Sequence, residues 1–443
     1  MMKQQAGAGS VFSFEGVPSA GQMIPLGFQH VVAAVVGIIT PAILIADTCG
    51  LSAGERTLMI QVSLILTAVA TLLQLFPIFG RIGSRLPVIM GISFAYIPTL
   101  QAIGGQFGLP TILGAEIVGG CVAILFGVFV KWIRPLFPPL VTGTVIFTIG
   151  LSLYPTAVRY MAGGNATSEW FGNPRSWAVA LITLAVVVFL NNFTKGILKL
   201  ASILIGMVVG YVIAYFLGIV DLSGVSGAAW FALPQVMPFE IQFVPSACVS
   251  LAIVYVVNAV QTIGDLSSTT MGGMDRLPTD KELSGGIIGQ GVMSIVGAFF
   301  GGLPTASYSQ NVGIVTVNRV INRAVFTLAA GILLVAGLVP KFASVLTTIP
   351  QCVIGGATIS VFATITMTGI RMITEGGFTP RKSSVVGLSV ALGVGITQVP
   401  GCLAGSHFPG WVSTVFGSSS VVVATIMAIL LNLILPKEPE TKK

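Results

Sequence analysis

Two stretches decide the fold of this chain: Gly302-Leu-Pro-Thr-Ala-Ser-Tyr-Ser-Gln-Asn-Val-Gly313, and Pro87-Val-Ile-Met-Gly-Ile-Ser-Phe-Ala-Tyr-Ile-Pro98. Both lie in apolar surroundings, but Gly and Pro interrupt them and leave them too short for ordinary transmembrane helices. Backbone that leaves the helix at membrane depth survives only when protein buries it or when it lines a wet cavity. We therefore predict short extended segments here, with a substrate site between them. The alternative is that Gly and Pro only allow close helix packing.

The rest of the chain predicts an all-α integral membrane protein around these stretches. Its 443 residues are 54% hydrophobic and 8% charged, with a mean hydropathy of +0.97, whereas a soluble domain is about 25% charged. Apolar runs of about 20 residues, enough to cross about 30 Å of hydrocarbon, recur from end to end. We predict about fourteen spans, with centres near Val35, Leu66, Phe94, Ala123, Ile146, Val187, Val209, Val254, Val292, Asn311, Leu333, Ser360, Val390 and Ile426.

These spans divide into two halves near Met237 to Pro245. Residues 1–240 and 241–443 then form two repeats of about seven spans each. An odd number per half makes the second half enter the membrane with the opposite orientation, so the pattern predicts a 7+7 inverted repeat. The two broken stretches take the third place in their halves and become spans 3 and 10.

The basic residues indicate topology. The net charge is +7, but Lys and Arg occur singly and in pairs at the ends of apolar runs, which argues against a nucleic-acid partner. If the N-terminus is cytoplasmic, the inside holds all but four of the 21 Lys and Arg residues, among them Lys3, Arg134, Lys437, Lys442 and Lys443. The outside holds only Arg56, Arg159, Arg175 and Lys341. This asymmetry predicts a multi-pass protein of the cell (inner) membrane with both termini in the cytoplasm.

Several functional classes lack their motifs. The five cysteines (Cys49, Cys121, Cys248, Cys352 and Cys402) are far apart and show no CxxC spacing, so neither a metal site nor a disulfide framework is indicated. No P-loop, HExxH or GxSxG motif occurs, which argues against ATP-driven transport and against a membrane hydrolase. We predict a protein that is not an enzyme, with no catalytic residue, metal or cofactor.

Polar residues at membrane depth are costly and so mark function. Gln261 and Asp265 are four apart and share a helical face, and Asp265 is the sharpest candidate among the carboxylates. Gln310 and Asn311 place two carboxamides side by side, each with a donor and an acceptor that can read the edge of a heterocycle. Phe94, at the other break, could stack on a flat ring or simply pack in the core.

Four further polar residues lie at or near membrane depth. His30 could relay protons or hold a neighbouring loop by hydrogen bonding, and the structural role is the more favoured. Asp47 and Glu116 are expected to pair locally or to face an aqueous edge. Gln290 is expected to line the same cavity as the candidates above.

At these residues the sequence resembles the nucleobase/ascorbate transporter family, and within it the bacterial xanthine and uric acid permeases. The family signature is Gln or Glu, Asn, any residue and Gly, followed by Thr and a basic residue. Here it reads Gln310-Asn311-Val312-Gly313-Ile-Val-Thr-Val-Asn318-Arg319, with Asn318 in place of the usual Thr. The likeness also covers Phe28-Gln-His30, Gly91-Ile-Ser-Phe94-Ala-Tyr-Ile, Thr262-Ile-Gly-Asp265 and Gly369-Ile-Arg371.

The resemblance implies fourteen spans in a core domain and a gate domain, each built from both repeats, and a homodimer through the gate domains. It implies that substrate lies between the two broken spans and the eighth helix. Carried over by position, Gln310 and Phe94 contact the base, Ser309 and Ala95 line it through their backbone, and Asn311 supports the pocket. Asp265 matches a coupling position, and Gly313, Asn318 and Arg319 belong to the gating motif.

Gln261 departs from the pattern, because many relatives carry Glu there. A glutamine cannot titrate, and it adds donors and removes a negative charge, which favours a substrate rich in carbonyl oxygens or partly anionic. We predict a secondary active transporter that imports a purine base, xanthine or urate, with a proton or with sodium. The alternatives are a uracil permease of the same family, an inorganic anion exchanger of the same architecture, and a scaffold or receptor that transports nothing.

Overall fold

The computed structural model describes residues 10–133, 136–222, 225–375, 377–399, 401–403, 408–417 and 419–436. Both termini lie outside these ranges, and so do several of the basic residues assigned to the inside: Lys3, Arg134, Lys437, Lys442 and Lys443.

Helices make up most of the described chain. The longer ones are α1 (Ala20–Thr48), α2 (Ala53–Leu75), α3 (Ile97–Phe107), α4 (Leu109–Val128), α6 (Pro139–Met161), α7 (Pro174–Phe193), α9 (Ser202–Phe216), α10 (Pro245–Ser268), α11 (Asp280–Phe299), α12 (Ser309–Asn318), α13 (Arg323–Gly337), α15 (Gln351–Thr374), α16 (Pro380–Gln398) and α18 (Ser420–Ile434). The short ones are α5 (Val130–Ile133), α8 (Ile197–Leu200), α14 (Pro340–Thr347) and α17 (Gly410–Val412). Two strands complete the list: β1 (Met90–Ile92) and β2 (Thr305–Ser307).

The long helices confirm a multi-pass membrane protein. Within the described ranges, 8 helices are long and apolar enough to cross a bilayer, or up to 9 if α13 and α14, which meet at a bend of 79°, form one span. Each predicted centre lies in one of the longer helices or, for Phe94, in the single 3₁₀ turn that joins β1 to α3. The count of fourteen spans stays a prediction.

Each broken stretch contains a short extended segment, as predicted. β1 and β2 pair antiparallel, with Met90 opposite Ser307 and Ile92 opposite Thr305. Neighbouring elements satisfy the backbone groups that a helix would have paired: the Met90 N–H donates to Thr71 Oγ1 at 3.0 Å, and the Thr305 N–H donates to Ser294 Oγ at 3.1 Å. Polar side chains on α2 and α11 therefore allow non-helical backbone inside an otherwise helical protein.

Gly91 is required at the centre of this pair. The Tyr308 hydroxyl donates to the Ile92 carbonyl at 2.8 Å, and its ring lies across Gly91. A Cβ at position 91 would overlap that ring. The glycine therefore allows the Tyr308 ring to approach the backbone closely. Close packing and a break in the helix occur together at this position.

The helices pack in two groups. The first contains both strands and the helices α1 to α4 and α10 to α13, and the second contains α6, α7, α9, α15, α16 and α18. Both broken stretches therefore belong to the first group, together with α10. Phe94 packs edge-on against Phe362 of α15, with ring centroids 5.4 Å apart, so the break in the first stretch lies where the two groups meet.

Candidate functional site

Asp265 lies at the centre of the candidate site. Its side chain is 7% exposed, and each carboxylate oxygen accepts one hydrogen bond. Ser307 Oγ donates to Oδ2 at 2.6 Å, and Ser309 Oγ donates to Oδ1 at 2.8 Å. The end of β2 and the first residue of α12 thus both bind a carboxylate on α10. Two hydroxyl donors on an acceptor-only group suit its ionised form.

Gln261 lies one helical turn before Asp265 on the same face of α10, as the spacing predicted. Its Nε2 is 3.5 Å from Ser309 Oγ, so both side chains face the N-terminal turn of α12. The side chain is half-buried. Gln261 can therefore contact a solute directly, whereas Asp265 is buried deeper in the protein.

Open space borders α10 and α12 next to these residues. Ser309 and Gln310 are exposed, and so are Gly313, one turn later, and Gly264 on α10. A Cβ built on Gly264 or on Gly313 meets no atom within 4 Å. The structure therefore brings Gln261, Ser309 and Gln310 together at the edge of a free volume.

Phe94 and Ala95 lie at the other break and are buried, at 7% and 5% exposure. Ser93 caps the 3₁₀ turn, because its Oγ accepts from the Ala95 N–H at 3.1 Å. The Phe94 ring packs against Phe362 in this conformation. Its contact with a base stays a prediction.

Asn311 is held by His30. Asn311 Nδ2 donates to the His30 carbonyl at 3.0 Å and lies 3.1 Å from His30 Nδ1. The imidazole also packs on Phe326, with centroids 4.4 Å apart. Both polar side chains are 1% exposed. His30 thus holds the first turn of α12, in agreement with the structural role favoured for it, and its part in coupling stays a prediction.

The last two residues of the family signature, Asn318 and Arg319, lie where α12 ends. Arg319 follows Asn318 with φ of 56°, a left-handed conformation that ends the helix. Its guanidinium pairs with Asp275, Nη1 to Oδ2, at 2.9 Å. Both side chains are exposed, so this ion pair joins α12 to the segment after α10 at the surface.

The structure contains a buried polar network behind the site that the sequence did not predict. Thr262 donates to Gln290 Oε1 at 2.7 Å, and Gln290 Nε2 donates to Asn258 Oδ1 at 2.6 Å and to the Tyr96 hydroxyl at 3.2 Å. Gln290 is fully buried, so it supports the site and does not line the open space. The feature of the sequence that indicated such a network was the set of polar residues at positions 258, 261, 262 and 265 on α10.

The two remaining acidic candidates differ. Asp47 pairs locally, as expected: Arg56 Nη1 lies 2.6 Å from Oδ1, and Tyr160 and Gln351 each donate to Oδ2 at 2.6 Å. The expectation for Glu116 is wrong, because the side chain is fully buried and neither oxygen has a hydrogen-bond partner in the described part of the chain. The sequence of α4 is apolar on every side and gave no indication that this residue faces the interior.

A surface cavity of about 550 Å³ lies elsewhere. It opens where α2 ends and α11 begins, with Arg85, Lys281 and Arg323 in its wall. Neither broken stretch lines it, so volume alone does not indicate the site.

Comparisons with known proteins identify the family of this chain. A family model described as the Permease family, Xan_ur_permease, matches residues 21–402. The chain belongs to this permease family. Membership confirms the resemblance indicated by the motif at Gln310. The relatives are transporters, so this permease is not an enzyme.

Curated relatives match along nearly the whole permease. The xanthine permease of Bacillus subtilis (strain 168) is 33% identical over 434 residues, which cover 96% of each chain. The uric acid permease PucK of the same strain is 35% identical over 420 residues, 94% of this chain and 95% of PucK. The uric acid transporter UacT of Escherichia coli (strain K12) is 32% identical over 419 residues, 94% of this chain and 86% of UacT.

Solved structures share the fold. The transmembrane domain of the cyanobacterial bicarbonate transporter BicA superposes with a TM-score of 0.63 at 14% identity, covering 92% of this permease and 97% of that domain. The structure of SLC26A9 superposes with a TM-score of 0.59 at 12% identity, covering 94% of this permease and 66% of that chain. At such identities the likeness concerns the fold alone.

Proposed function

We propose that this permease is a secondary active transporter that imports an oxidised purine base, xanthine or urate, together with a proton. One observation carries the proposal: Gln261, Ser309 and Gln310 border open space beside a carboxylate, Asp265, that two serine hydroxyls bind and no described cation neutralises. The names of the relatives, which are xanthine and uric acid permeases, support the same substrate class.

Carboxamides give the site its selectivity in this proposal. The exposed Gln310 offers a donor and an acceptor to the edge of a base, and Gln261 adds donors that suit ring carbonyl oxygens. Free N–H groups in the first turn of α12 attract the partial negative charge of these oxygens. Phe94 and Ala95 form the opposite wall. An oxidised purine, with several carbonyls, uses more of these donors than uracil does.

Gln261→Glu tests this selectivity. We expect urate uptake to fall about 10- to 100-fold relative to uracil, because one hydrogen bond to a charged group is lost and a carboxylate now faces an anionic substrate. The measurement is KM and kcat for urate, xanthine and uracil. Gln106→Glu, an exposed glutamine on α3, is the matched control and should leave the ratio unchanged. An unaltered urate-to-uracil ratio in Gln261→Glu would remove Gln261 from the specificity site.

The proposed mechanism moves one helix group against the other. We take the group with both strands as the core domain and the other as the gate domain, within fourteen spans arranged as the 7+7 repeat of residues 1–240 and 241–443. Residues 10–16 bind the α12–α13 link through Asn322, whose Nδ2 donates to the Ser13 carbonyl at 2.9 Å. The N-terminal segment and Arg319 therefore share one end of the molecule, which we assign to the cytoplasm.

Asp47, near the end of α1, and Arg56, near the start of α2, lie at the opposite end of the molecule. We assign that end to the outside of the membrane. The exposed faces of α10 and α12 run from the site toward the cytoplasmic end, through Gly264, Gly313 and Val317. We therefore assign the structure to an inward-facing conformation, closed at the Asp47 end. A homodimer through the gate domain completes the proposal.

Uptake of labelled xanthine by purified protein in liposomes tests the function. An imposed inward proton gradient should drive accumulation, a protonophore should abolish it, and urate should compete better than uracil. Competition by uracil alone would support the uracil alternative. Bicarbonate transport without any base uptake would support an inorganic anion exchanger, and base binding without flux would support a receptor.

A further inference from the structure

Glu116 is a buried carboxyl group that the proposed mechanism does not use. It lies on α4, which packs against α10 and α11 of the core domain. The side chain is fully buried, and neither oxygen has a hydrogen-bond partner or a cation partner among the residues described. A Cβ on Gly297 of α11 would lie 3.6 Å from Oε1, so the carboxyl faces the α4–α11 contact.

The groups around Glu116 offer no positive charge. The ionisable side chains near it are the phenols of Tyr96, before α3, and Tyr255, on α10, whose rings lie 4.8 Å apart. On α11 the charged residues end at Glu282, several turns earlier, and α4 contains no other charged residue. An ionised carboxylate here would have neither a counter-ion nor hydrogen-bond donors to replace water.

The surroundings of Glu116 and Asp265 therefore favour different protonation states. Asp265 has a hydroxyl donor on each oxygen and lies beside open space, which suits an ionised carboxylate. Glu116 has no donor and no access to solvent, which suits the neutral acid. The two carboxyl groups are thus held in environments of opposite kind, one with hydroxyl donors and one without.

A polar network joins the surroundings of Glu116 to the substrate site. The Tyr255 phenol lies beside the Tyr96 ring, and the Tyr96 hydroxyl accepts from Gln290. Gln290 in turn binds Asn258 and Thr262, and Thr262 adjoins Gln261. A change of charge at Glu116 would act on these phenols first and on α10 next.

We propose that Glu116 is a second proton-binding site of this permease, occupied in the conformation seen here and coupled to the substrate site through Tyr96 and Gln290. This inference rests on the proposed function for its coupling, although proton occupancy is a property of the protein alone. Loss of the proton leaves an uncompensated anion between α4, α10 and α11, so deprotonation has to rearrange the network or move α4. Substrate affinity should fall when this happens.

Infrared spectroscopy of the purified, substrate-free protein tests occupancy directly. At neutral pH the wild type should show the C=O stretch of a buried, protonated carboxylic acid, and this band should be missing in Glu116→Gln. Glu169→Gln, an exposed glutamate, is the matched control and should keep the band. Wild-type protein without such a band, or Glu116→Gln with an unchanged band, would overturn the proposal. If Glu116→Gln fails to fold, Glu116→Asp, which keeps the carboxyl group and should shift the frequency of the band, gives the same decision, and an unshifted band would overturn the proposal.

Xanthine binding as a function of pH tests the coupling. Wild-type affinity should fall about tenfold as the carboxylic acid band disappears at high pH, a usual size for coupling between two sites. Glu116→Gln, which is neutral at every pH, should keep its affinity there. Equal pH dependence in both proteins would overturn the coupling, whereas a wild type that binds no base at any pH would instead refute the proposed function.

Discussion

Asp265→Asn is expected to abolish accumulation of substrate against its gradient while leaving facilitated exchange. The asparagine keeps the shape of the side chain and one oxygen for Ser307 or Ser309, so the end of β2 and the start of α12 stay in place. It cannot bind a proton, and the site loses the carboxylate that lies behind Gln261. We expect gradient-driven uptake to fall by about 100-fold or more, in the range that loss of a buried charged partner produces.

Three measurements on liposomes isolate this effect: initial uptake with an imposed pH gradient, its dependence on external pH, and exchange of labelled against unlabelled xanthine. Asp280→Asn is the matched control, because Asp280 pairs with Lys131 at the surface with both side chains about two-thirds exposed or more. The control should behave as wild type. If Asp265→Asn accumulated substrate with the wild-type pH dependence, Asp265 would not be the coupling residue, and His30 or Glu116 would become the stronger candidate.

Asp47→Asn is expected to open the outer end of the transporter. In the structure one carboxylate joins four helices: α1 carries it, Arg56 is on α2, Tyr160 on α6 and Gln351 on α15. The first two helices belong to the group that we assign to the core domain, and the last two belong to the group that we assign to the gate domain. Gln101 and Thr156 make a second contact across the same boundary at 3.3 Å. In the proposed mechanism these bonds have to break before the outer end can open, so we expect them to stabilise the inward-facing conformation.

The expected size follows from the bonds that are lost. A hydrogen bond to a charged group contributes about 1.5–3 kcal/mol, which corresponds to about a 10- to 100-fold shift in a two-state equilibrium. Uptake should slow because the outer end closes less readily around its substrate. Tyr160→Phe removes one of the donors and should act in the same direction with a smaller effect.

Cys49 provides the readout, because it is half-buried two residues from Asp47. In a variant that retains only this cysteine, Asp47→Asn should increase the rate of labelling by a water-soluble maleimide about tenfold or more. Asp280→Asn, at the other end of the molecule, should leave the rate unchanged. Wild-type labelling and uptake in Asp47→Asn would mean that the four-helix cluster does not hold the outer end closed.

Predictions from sequence succeeded where composition or local pattern is sufficient. A chain that is only 8% charged has the composition of a membrane protein, and the clustered Gly and Pro of Pro87 to Pro98 and Gly302 to Gly313 indicated a break in the helix at both places. Spacing of four put Gln261 and Asp265 on one face, because helical geometry is local. The motif at Gln310 indicated the family for a similar reason: it is a contiguous string of residues.

Tertiary structure decided the partners of each polar group. Ser307 and Ser309 are more than 40 positions from Asp265 in sequence, so nothing local identifies them as its hydrogen-bond donors. Asp47 and Glu116 read alike in sequence, as single acids in apolar runs. Asp47 lies where three neighbouring helices bring it an arginine, a phenol and a carboxamide, whereas Glu116 lies at the contact of α4 with α11, where no described side chain binds it. The free energy of a buried charge depends on atoms a few ångströms away in space, and helix packing rather than chain order places those atoms.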